Sequence, residues 1–422
     1  MKFFIYTLGC KVNAYESEVM KEKLLANNFI LDEENPDIII VNTCSVTNVA
    51  DQKSQKMIRR MKREYPNCIL VVCGCSSENK ESDYQKMGID ILIGNKDKSK
   101  IVDLITCYLE TKKAYSKFYH TRKLEFEDME IDKFTTHTRA FVKIQDGCDN
   151  FCSYCIIPFV RGSIRSKDFH VALNEIKTLV ENGHQEIVLT GIHTGSYGTG
   201  TDYDLTDLIH EMSKLDQLRR IRISSIEMNE LNDKFLKEFQ NNPKICDHLH
   251  IPLQAGSDEI LKKMNRKYNL DEFKEKIQKI REIRPEIAIT TDIIVGFPHE
   301  TDELFETTMK TAEELKFSKI HVFPYSVREG TVAARMDNQI PEVIKKERSK
   351  RLVALSNELE EAYQRQFIGR ELSVLVEQKN LGCTSNYLKV QLDKEQEANT
   401  FVNVFITSYE NGLLYGKVSQ EK

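Results

Sequence analysis

Three thiols stand close together in the stretch Gly147-Cys148-Asp149-Asn150-Phe151-Cys152-Ser153-Tyr154-Cys155, spaced C-x3-C-x2-C with no fourth cysteine nearby. Thiolates this near one another can hold a soft metal centre. A structural zinc site wants a fourth ligand, usually from paired C-x2-C hooks, and here His170 would have to complete it. A cubane iron–sulfur cluster held by three cysteines leaves one iron open. The spacing favours that open iron over zinc.

A second trio is dispersed along the chain. Cys10 closes Thr-Leu-Gly-Cys, Cys44 closes Val-Asn-Thr-Cys and Cys75 closes Val-Cys-Gly-Cys, at separations of 34 and 31 residues. Each ends an apolar run, and each separation is about one strand–helix repeat. The carboxyl ends of strands in a doubly wound sheet share one edge, where ligands of such folds sit, so these thiols can meet. Cys73 competes with Cys75. Gly74 before Cys75 repeats Gly9 before Cys10, and a small neighbour lets the backbone approach a cluster, which favours Cys75. Cys68, Cys73, Cys107, Cys246 and Cys383 lack partners at useful spacing and read as core thiols. His193, His248 and His250 form no metal-ligand pair, and a satisfied polar role suits His248 and His250 better than ligation.

The elements that position these thiols follow from the patterning. The 422 residues are 40% hydrophobic and 30% charged, enough for about three globular domains. A net charge of −5 gives no bulk affinity for nucleic acid, so any RNA contact must come from local basic patches. Eleven cysteines behind an N-terminus that reads as a first strand, not a signal peptide, point to a reducing cytoplasmic setting. No apolar run approaches membrane-spanning length. Over residues 1–110, apolar runs at Phe3–Leu8, Ile38–Asn42, Ile69–Val72 and Ile89–Ile93 alternate with helical spacing at Glu16–Asn27 and Val49–Glu64, predicting a parallel α/β sheet. The second of these helices carries Lys53, Lys56, Arg60 and Arg63 on one face, equally a solvated surface or a phosphate contact.

Residues 111–138 swing from basic to acidic and read as a linker. Over 139–340, strands are expected at Arg139–Gln145, Glu186–Thr190, Ile221–Ser225, Asp247–Leu253, Ile287–Val295 and Lys319–Phe323, with helical spacing between them. Six such units are too few for an eight-fold barrel and suit an open partial one. The Cys148 loop directly follows the first strand, on the carboxyl-end face where barrels of this kind keep their sites. A helix over residues 341–368 carries an apolar stripe of Leu352, Leu355, Leu359, Tyr363 and Phe367. Residues 369–422 read as a small β-barrel with strands at Leu372–Glu377, Tyr387–Gln391, Thr400–Thr407 and Leu413–Val418. There, an aromatic Tyr387 beside basic Lys389 can stack a base and hold a phosphate, or be an ordinary strand aromatic.

These words resemble the methylthiotransferase branch of the radical S-adenosylmethionine (SAM) enzymes. The likeness rests on C-x3-C-x2-C with Phe141–Gly147 before it and Ile156–Gly162 after it, on Gly9-Cys10-Lys11-Val12-Asn13, Asn42-Thr43-Cys44-Ser45-Val46, Gly74-Cys75 and Gly94–Lys98, and on Thr384–Tyr387 with Lys389, similar to the RNA-binding TRAM module. The resemblance implies two [4Fe–4S] clusters, the one on Cys148, Cys152 and Cys155 chelating SAM and an auxiliary one on Cys10, Cys44 and Cys75. It implies SAM contacts at Gly191, Gln254, Ile294 and Gly296, and RNA contacts from Tyr387, Lys389, Lys53 and Arg60. It also implies an electron donor such as flavodoxin or ferredoxin, and leaves the sulfur source open.

The implied chemistry answers a need. Adenine C2–H has no usable acidity, so acid–base catalysis cannot place sulfur there, whereas a low-potential cluster can cleave SAM by one electron. No side chain is then expected to act as acid or base. Among substrates, the words Gly191–Gly198 and His250–Ser257 look most like the branch acting on N6-threonylcarbamoyladenosine at tRNA position 37. Alternatives are N6-isopentenyladenosine in tRNA, an aspartate of a ribosomal protein, and, from other classes, a non-catalytic metal-stapled RNA-binding protein or a two-cluster electron carrier.

Overall fold

The computed structural model describes residues 1–45, 47–119, 121–134 and 138–419; Val46, which ends one of the motif words, and parts of the expected linker lie outside them. The N-terminal sheet has six parallel strands: Lys2–Thr7 (β1), Ile30–Leu31 (β2), Ile38–Thr43 (β3), Ile69–Gly74 (β4), Ile91–Ile93 (β5) and Tyr115–Lys117 (β6), in the order β2-β1-β3-β4-β5-β6. Strands β3 and β4 are buried along their whole length because helices cover both faces, which is why they read as unbroken apolar runs. The edge strands β2 and β6 are too short to leave an alternation in the sequence. β6 lies within the stretch read as linker, and the later linker residues Met129, Ile131 and Phe134 are buried in the next domain's core.

The central domain holds six βα units. Strands Ala140–Lys143 (β7), Glu186–Thr190 (β10) and Arg220–Ile223 (β11) form one parallel sheet with β10 in the middle. His248–His250 (β12), Ala288–Val295 (β13) and Lys319–Pro324 (β14) form another, centred on β13. A short antiparallel pair, Gln145–Asp146 (β8) and Arg165–Ser166 (β9), shapes the loop after β7. A parallel bridge from Ile221 to Ile245 links the two sheets into one open half-barrel. The helix Lys11–Ala26 of the first domain packs on β7: Tyr15 is buried in the barrel core and its hydroxyl donates to the Met129 carbonyl at 2.6 Å.

Helix Glu342–Arg365 lays Leu352 in the barrel core and Tyr363 against the last domain's core, where Phe367 just beyond it is buried, so it ties the two together. The C-terminal domain is a closed barrel of five strands, not four: Glu371–Gln378 (β15), Leu381–Thr384 (β16), Lys389–Leu392 (β17), Phe401–Glu410 (β18) and Leu413–Val418 (β19). The extra strand, Leu-Gly-Cys-Thr, is short and carries a glycine, so nothing in its composition marks it as a strand. It displaces Tyr387 from the expected strand into the β16–β17 turn, where its φ is +67°.

Candidate active site

The dispersed trio converges because β1, β3 and β4 are neighbours in register, Thr7 opposite Asn42 and Thr43 opposite Gly74. Cys10, Cys44 and Cys75 each follow one of these strand ends. Gly9 and Gly74 both have φ of +108°. A Cβ on Gly9 would lie 2.9 Å from Sγ of Cys44, and one on Gly74 would lie 2.5 Å from the Thr43 carbonyl oxygen, so only glycine fits either place. Asn13 ties the loops together: its Nδ2 donates to the Leu8 carbonyl at 2.7 Å and the Thr43 carbonyl at 2.9 Å. Cys73, two residues before Cys75 and still within β4, is buried in the apolar core with Ile38, Ile40 and Ile91. Cys107 departs from the expectation of a core thiol, being exposed on the helix Ile101–Thr111.

The contiguous trio sits in the loop after β8. Burial pushes the Cys155 thiol up to about 12, with the Cys152 and Cys148 thiols adding repulsion. Cys75 is likewise raised by burial, with Arg161 and Lys98 pulling against it. The histidine at this trio is not His170, which packs against Phe169 and Tyr203, but His193, whose Nδ1 is 3.9 Å from Sγ of Cys148. Burial lowers the pKa of His193, but the Cys148 thiol and Glu230 outweigh it and raise it to about 10.

Two arginines reach the cysteines, and sequence reasoning passed over both. Nη1 of Arg266 donates to Sγ of Cys152 at 3.3 Å, and Nη2 pairs with Glu227. Nε of Arg161 donates to Sγ of Cys75 at 3.1 Å. Arg161 is wholly buried, and its other nitrogens reach Oδ1 of Asn13 (2.9 Å), Glu16 (3.0 Å) and Asp146 (3.2 Å). Lys143 bonds the same two carboxylates at 2.8 and 2.7 Å, and Lys98 completes the cluster on Glu16. Burial alone would raise Glu16, yet Arg161, Lys143 and Lys98 hold it well below the usual carboxylate range. A guanidinium between apolar Val160 and a left-handed Gly162, just after a cysteine loop, is the signal that could have been read.

The two trios are neighbours. Cys75 packs against Ile156 and Val160, which directly follow Cys155. Beside them a cavity opens between the domains, lined by Tyr154, Cys155, Gln254, Asp292, Ile294 and Arg328. Arg328 closes the domain junction, donating to the Ser45 carbonyl at 2.8 Å and to Asp51 at 2.8 Å.

Of the four residues expected at SAM, Gln254 and Ile294 line this cavity together. Gln254 has φ of +67°, an uncommon conformation for a residue other than glycine. It is held by its N–H to the Asp292 carbonyl and by the Ile294 N–H to its own carbonyl, both 2.8 Å. Gly191 abuts Gln145, whose Oε1 accepts from the His193 N–H at 2.7 Å. Gly296 is turned away: its N–H donates to Glu300 at 2.6 Å and its α-carbon faces Lys345 of the bridging helix.

The expected RNA residues are scattered. Lys53, Lys389 and Arg60 are all exposed, Arg60 in a surface pair with Glu64 at 2.9 and 3.0 Å. The Tyr387 ring is already engaged, stacked on His248 at 5.0 Å and flanked by the guanidinium groups of Arg222 at 4.5 Å and Arg139 at 5.1 Å. It joins the small barrel to the half-barrel, while the ring stays partly exposed and lines a cavity with Lys389. His248 and His250 both meet the Thr290 hydroxyl, at 3.1 and 2.9 Å, but Nδ1 of His248 is buried without a partner among the described residues, and His250 stands with Asp292 and His321 in a grouping that could hold a metal ion.

Known proteins agree with this architecture. Residues 142–312 match the family described as the Radical SAM superfamily, and residues 2–94 match the one described as Uncharacterized protein family UPF0004. The chain is 40% identical to a threonylcarbamoyladenosine tRNA methylthiotransferase MtaB of Bacillus subtilis, over 91% of this chain and 89% of that one. It is 38% identical to its namesake in Thermotoga maritima, over 88% and 86%. A tRNA-2-methylthio-N(6)-dimethylallyladenosine synthase of Clostridium novyi is 36% identical, over 89% and 85%. Among solved structures, the radical S-adenosylmethionine methyltransferase TsrM of Kitasatospora setae shares the fold at a TM-score of 0.55 and 12% identity, over 76% of this chain and 72% of that one. With strand-end cysteines, cysteine loop and half-barrel all in place, the chain belongs to the radical SAM methylthiotransferase family.

Proposed function

We propose that the chain is a tRNA-modifying enzyme that places a methylthio group on C2 of N6-threonylcarbamoyladenosine at tRNA position 37. The observation that carries this reading is the adjacency of the two cysteine trios, through Cys75 against Ile156 and Val160. A single trio suffices to cleave SAM; sulfur insertion needs a second centre beside it.

The donor set fits two [4Fe–4S] clusters and SAM. The contiguous trio gathers half-buried thiols, and the dispersed one sets buried Cys44 and Cys75 beside the exposed Cys10. Those of Cys155 and Cys75 are raised by burial, which a cationic iron–sulfur core reverses by coordinating the thiolate outright. Bound there, the clusters and SAM supply one-electron cleavage of the SAM sulfonium and the sulfur that acid–base chemistry cannot deliver to an aromatic C–H. The protein's part is positional. Cys148, Cys152 and Cys155 would hold one cluster, and Gln254 and Ile294 line the space beside them where SAM would bind. Cys10, Cys44 and Cys75 hold the other. Arg266 and Arg161 place a fixed positive charge on one thiolate of each set, which needs no rearrangement during reaction. Arg328 ties together the interdomain wall of that space through Ser45 and Asp51.

Exposed Lys53, Lys56 and Lys389 supply phosphate contacts to tRNA, and a flavodoxin- or ferredoxin-type partner supplies electrons. The setting is cytoplasmic; no helix among the described residues is long and apolar enough to cross a membrane. The substrate assignment draws on the two MtaB relatives at 40% and 38% identity. Nucleoside mass spectrometry of tRNA from a strain lacking the gene tests it. The methylthio form of threonylcarbamoyladenosine should disappear while its precursor remains. Accumulation of unmethylthiolated isopentenyladenosine would move the enzyme to the other tRNA branch.

A further inference from the structure

Alternate residues of a strand share a face, so Ile294, Asp292 and Thr290 of β13 line the inside of the half-barrel in sequence. The first two border the cavity at Cys155. Thr290 borders a second one, where the half-barrel meets the C-terminal barrel at Cys383, Tyr387 and Lys389, about 460 Å³ in volume, a size suited to part of a small ligand. Its lining is rich in cationic and neutral donor groups: Lys11, Arg139, Lys319, His248, His250 and His321. The acids on it are neutralised locally, Glu377 by Arg139 at 2.7 Å and Glu360 by Lys319 at 3.0 Å. Asp292, above it, faces Nε2 of His250 at 3.3 Å. Lys11 is different. Half-buried at the first position of its helix, it has no ion-pair or hydrogen-bond partner among the described residues.

We infer that this lumen receives the N6 substituent of the target adenosine, and that Lys11 reads its carboxylate. The inference rests on the function proposed above and deepens it. In adenine, N1 is bonded both to C2 and to C6, which bears N6. A base that turns C2 toward the trio containing Cys10 therefore presents its N6 substituent along the same edge. Lys11 directly follows Cys10, so an ammonium group stands where that substituent must pass. A threonylcarbamoyl group ends in a carboxylate that satisfies it. A prenyl group would strand a partly desolvated charge against hydrocarbon, a mismatch that works as rejection. Lys11 is thus a specificity-determining residue, supplying a discrimination that no motif in the sequence revealed.

The test uses the full-length protein with its clusters and four synthetic anticodon stem-loops. They differ only at position 37: threonylcarbamoyladenosine, its methyl ester, isopentenyladenosine and adenosine. Binding is read by fluorescence anisotropy. The wild-type protein should bind the free acid at least about tenfold more tightly than the ester. Lys11→Met should bind acid and ester alike with its iron content unchanged, and Lys11→Arg should restore the preference. Equal wild-type affinity for acid and ester, both above the other two RNAs, overturns the role of Lys11 while leaving the substrate assignment standing. So does a Lys11→Met protein that keeps the preference. Tightest binding of the isopentenyl stem-loop instead overturns the substrate assignment and the inference with it. Should Lys11→Met fail to assemble, the wild-type comparison and Lys11→Gln decide.

Discussion

Arg161 of the half-barrel's cysteine loop donates from Nε to Sγ of Cys75, at a strand end of the other domain, over 3.1 Å. The same guanidinium bonds Glu16 and Asp146, so the contact between the two cluster sites is also the charged centre of the domain interface.

Replacing Arg161 by Met should therefore do two things. It leaves Glu16 and Asp146 with only Lys98, Lys143 and Arg165 to balance them in a buried setting, which costs about 3 kcal/mol, the low end for breaking a buried pair. Denaturant unfolding of the two proteins measures that. It also removes a cationic hydrogen bond from a cluster thiolate, so the midpoint potential of the auxiliary cluster should fall. An unchanged potential in an EPR-monitored redox titration would show that the bond does not survive when the cluster is bound.

The two trios should be separable. Converting Cys10, Cys44 and Cys75 to Ala should remove about four of about eight irons per chain. Reductive cleavage of SAM should persist, with no methylthiolated product. Converting Cys148, Cys152 and Cys155 should remove the other half and abolish both activities. Iron assay and product chromatography read the two results. Full iron retention in either triple variant would mean that other residues hold the metal.

Much of this was legible because the chemistry is carried by cysteines, whose spacing survives in the sequence, and by parallel strands, whose burial on both faces writes long apolar runs. Gly9 and Gly74 share one backbone conformation before Cys10 and Cys75, while Cys73 is buried in the apolar core. What stayed hidden depends on contacts between distant segments. Arg161 and Arg328 look like surface charges until the first two domains meet over them, and Arg266 until its own domain folds round Cys152 and Glu227. Tyr387 reads equally as a base-stacking or a strand aromatic, and the unmarked strand Leu381–Thr384 places it instead in a turn against His248. Gly296 belongs to a familiar word, yet it serves the packing of Lys345 rather than the cavity.

RNA binding should divide accordingly between lysines and ring. Lys53→Ala with Lys56→Ala should weaken tRNA binding evenly across sequences and reduce the slope of log affinity against log salt by about 1 for each phosphate no longer neutralised. Tyr387→Ala should leave that slope alone. It should lower thermal stability instead, since ring and guanidinium pairs of this kind are worth about 1 kcal/mol each. A salt slope that changes with Tyr387 and not with the lysines would reverse the two roles.

The dock at Tyr387 also carries a pH dependence. Burial drives the pKa of His248 well below its ordinary 6.5, and the positive charge of Arg222 with His250, Lys11 and His321 adds to the shift. The folded protein therefore keeps His248 neutral where the unfolded chain takes up a proton. Between the folded pKa and 6.5 the unfolded state binds more protons, so stability is complete above 6.5 and is lost as pH falls below it. One such group contributes a slope of up to about 1.4 kcal/mol per pH unit. His321, lowered in the same sense by burial, adds to the measured total, so the difference between wild type and His248→Gln isolates the single residue. Urea midpoints taken from pH 7.5 downward should converge for the two proteins as acid erases the advantage of neutral His248. Parallel curves would mean that the ring is hydrated and free to take its proton in the folded state.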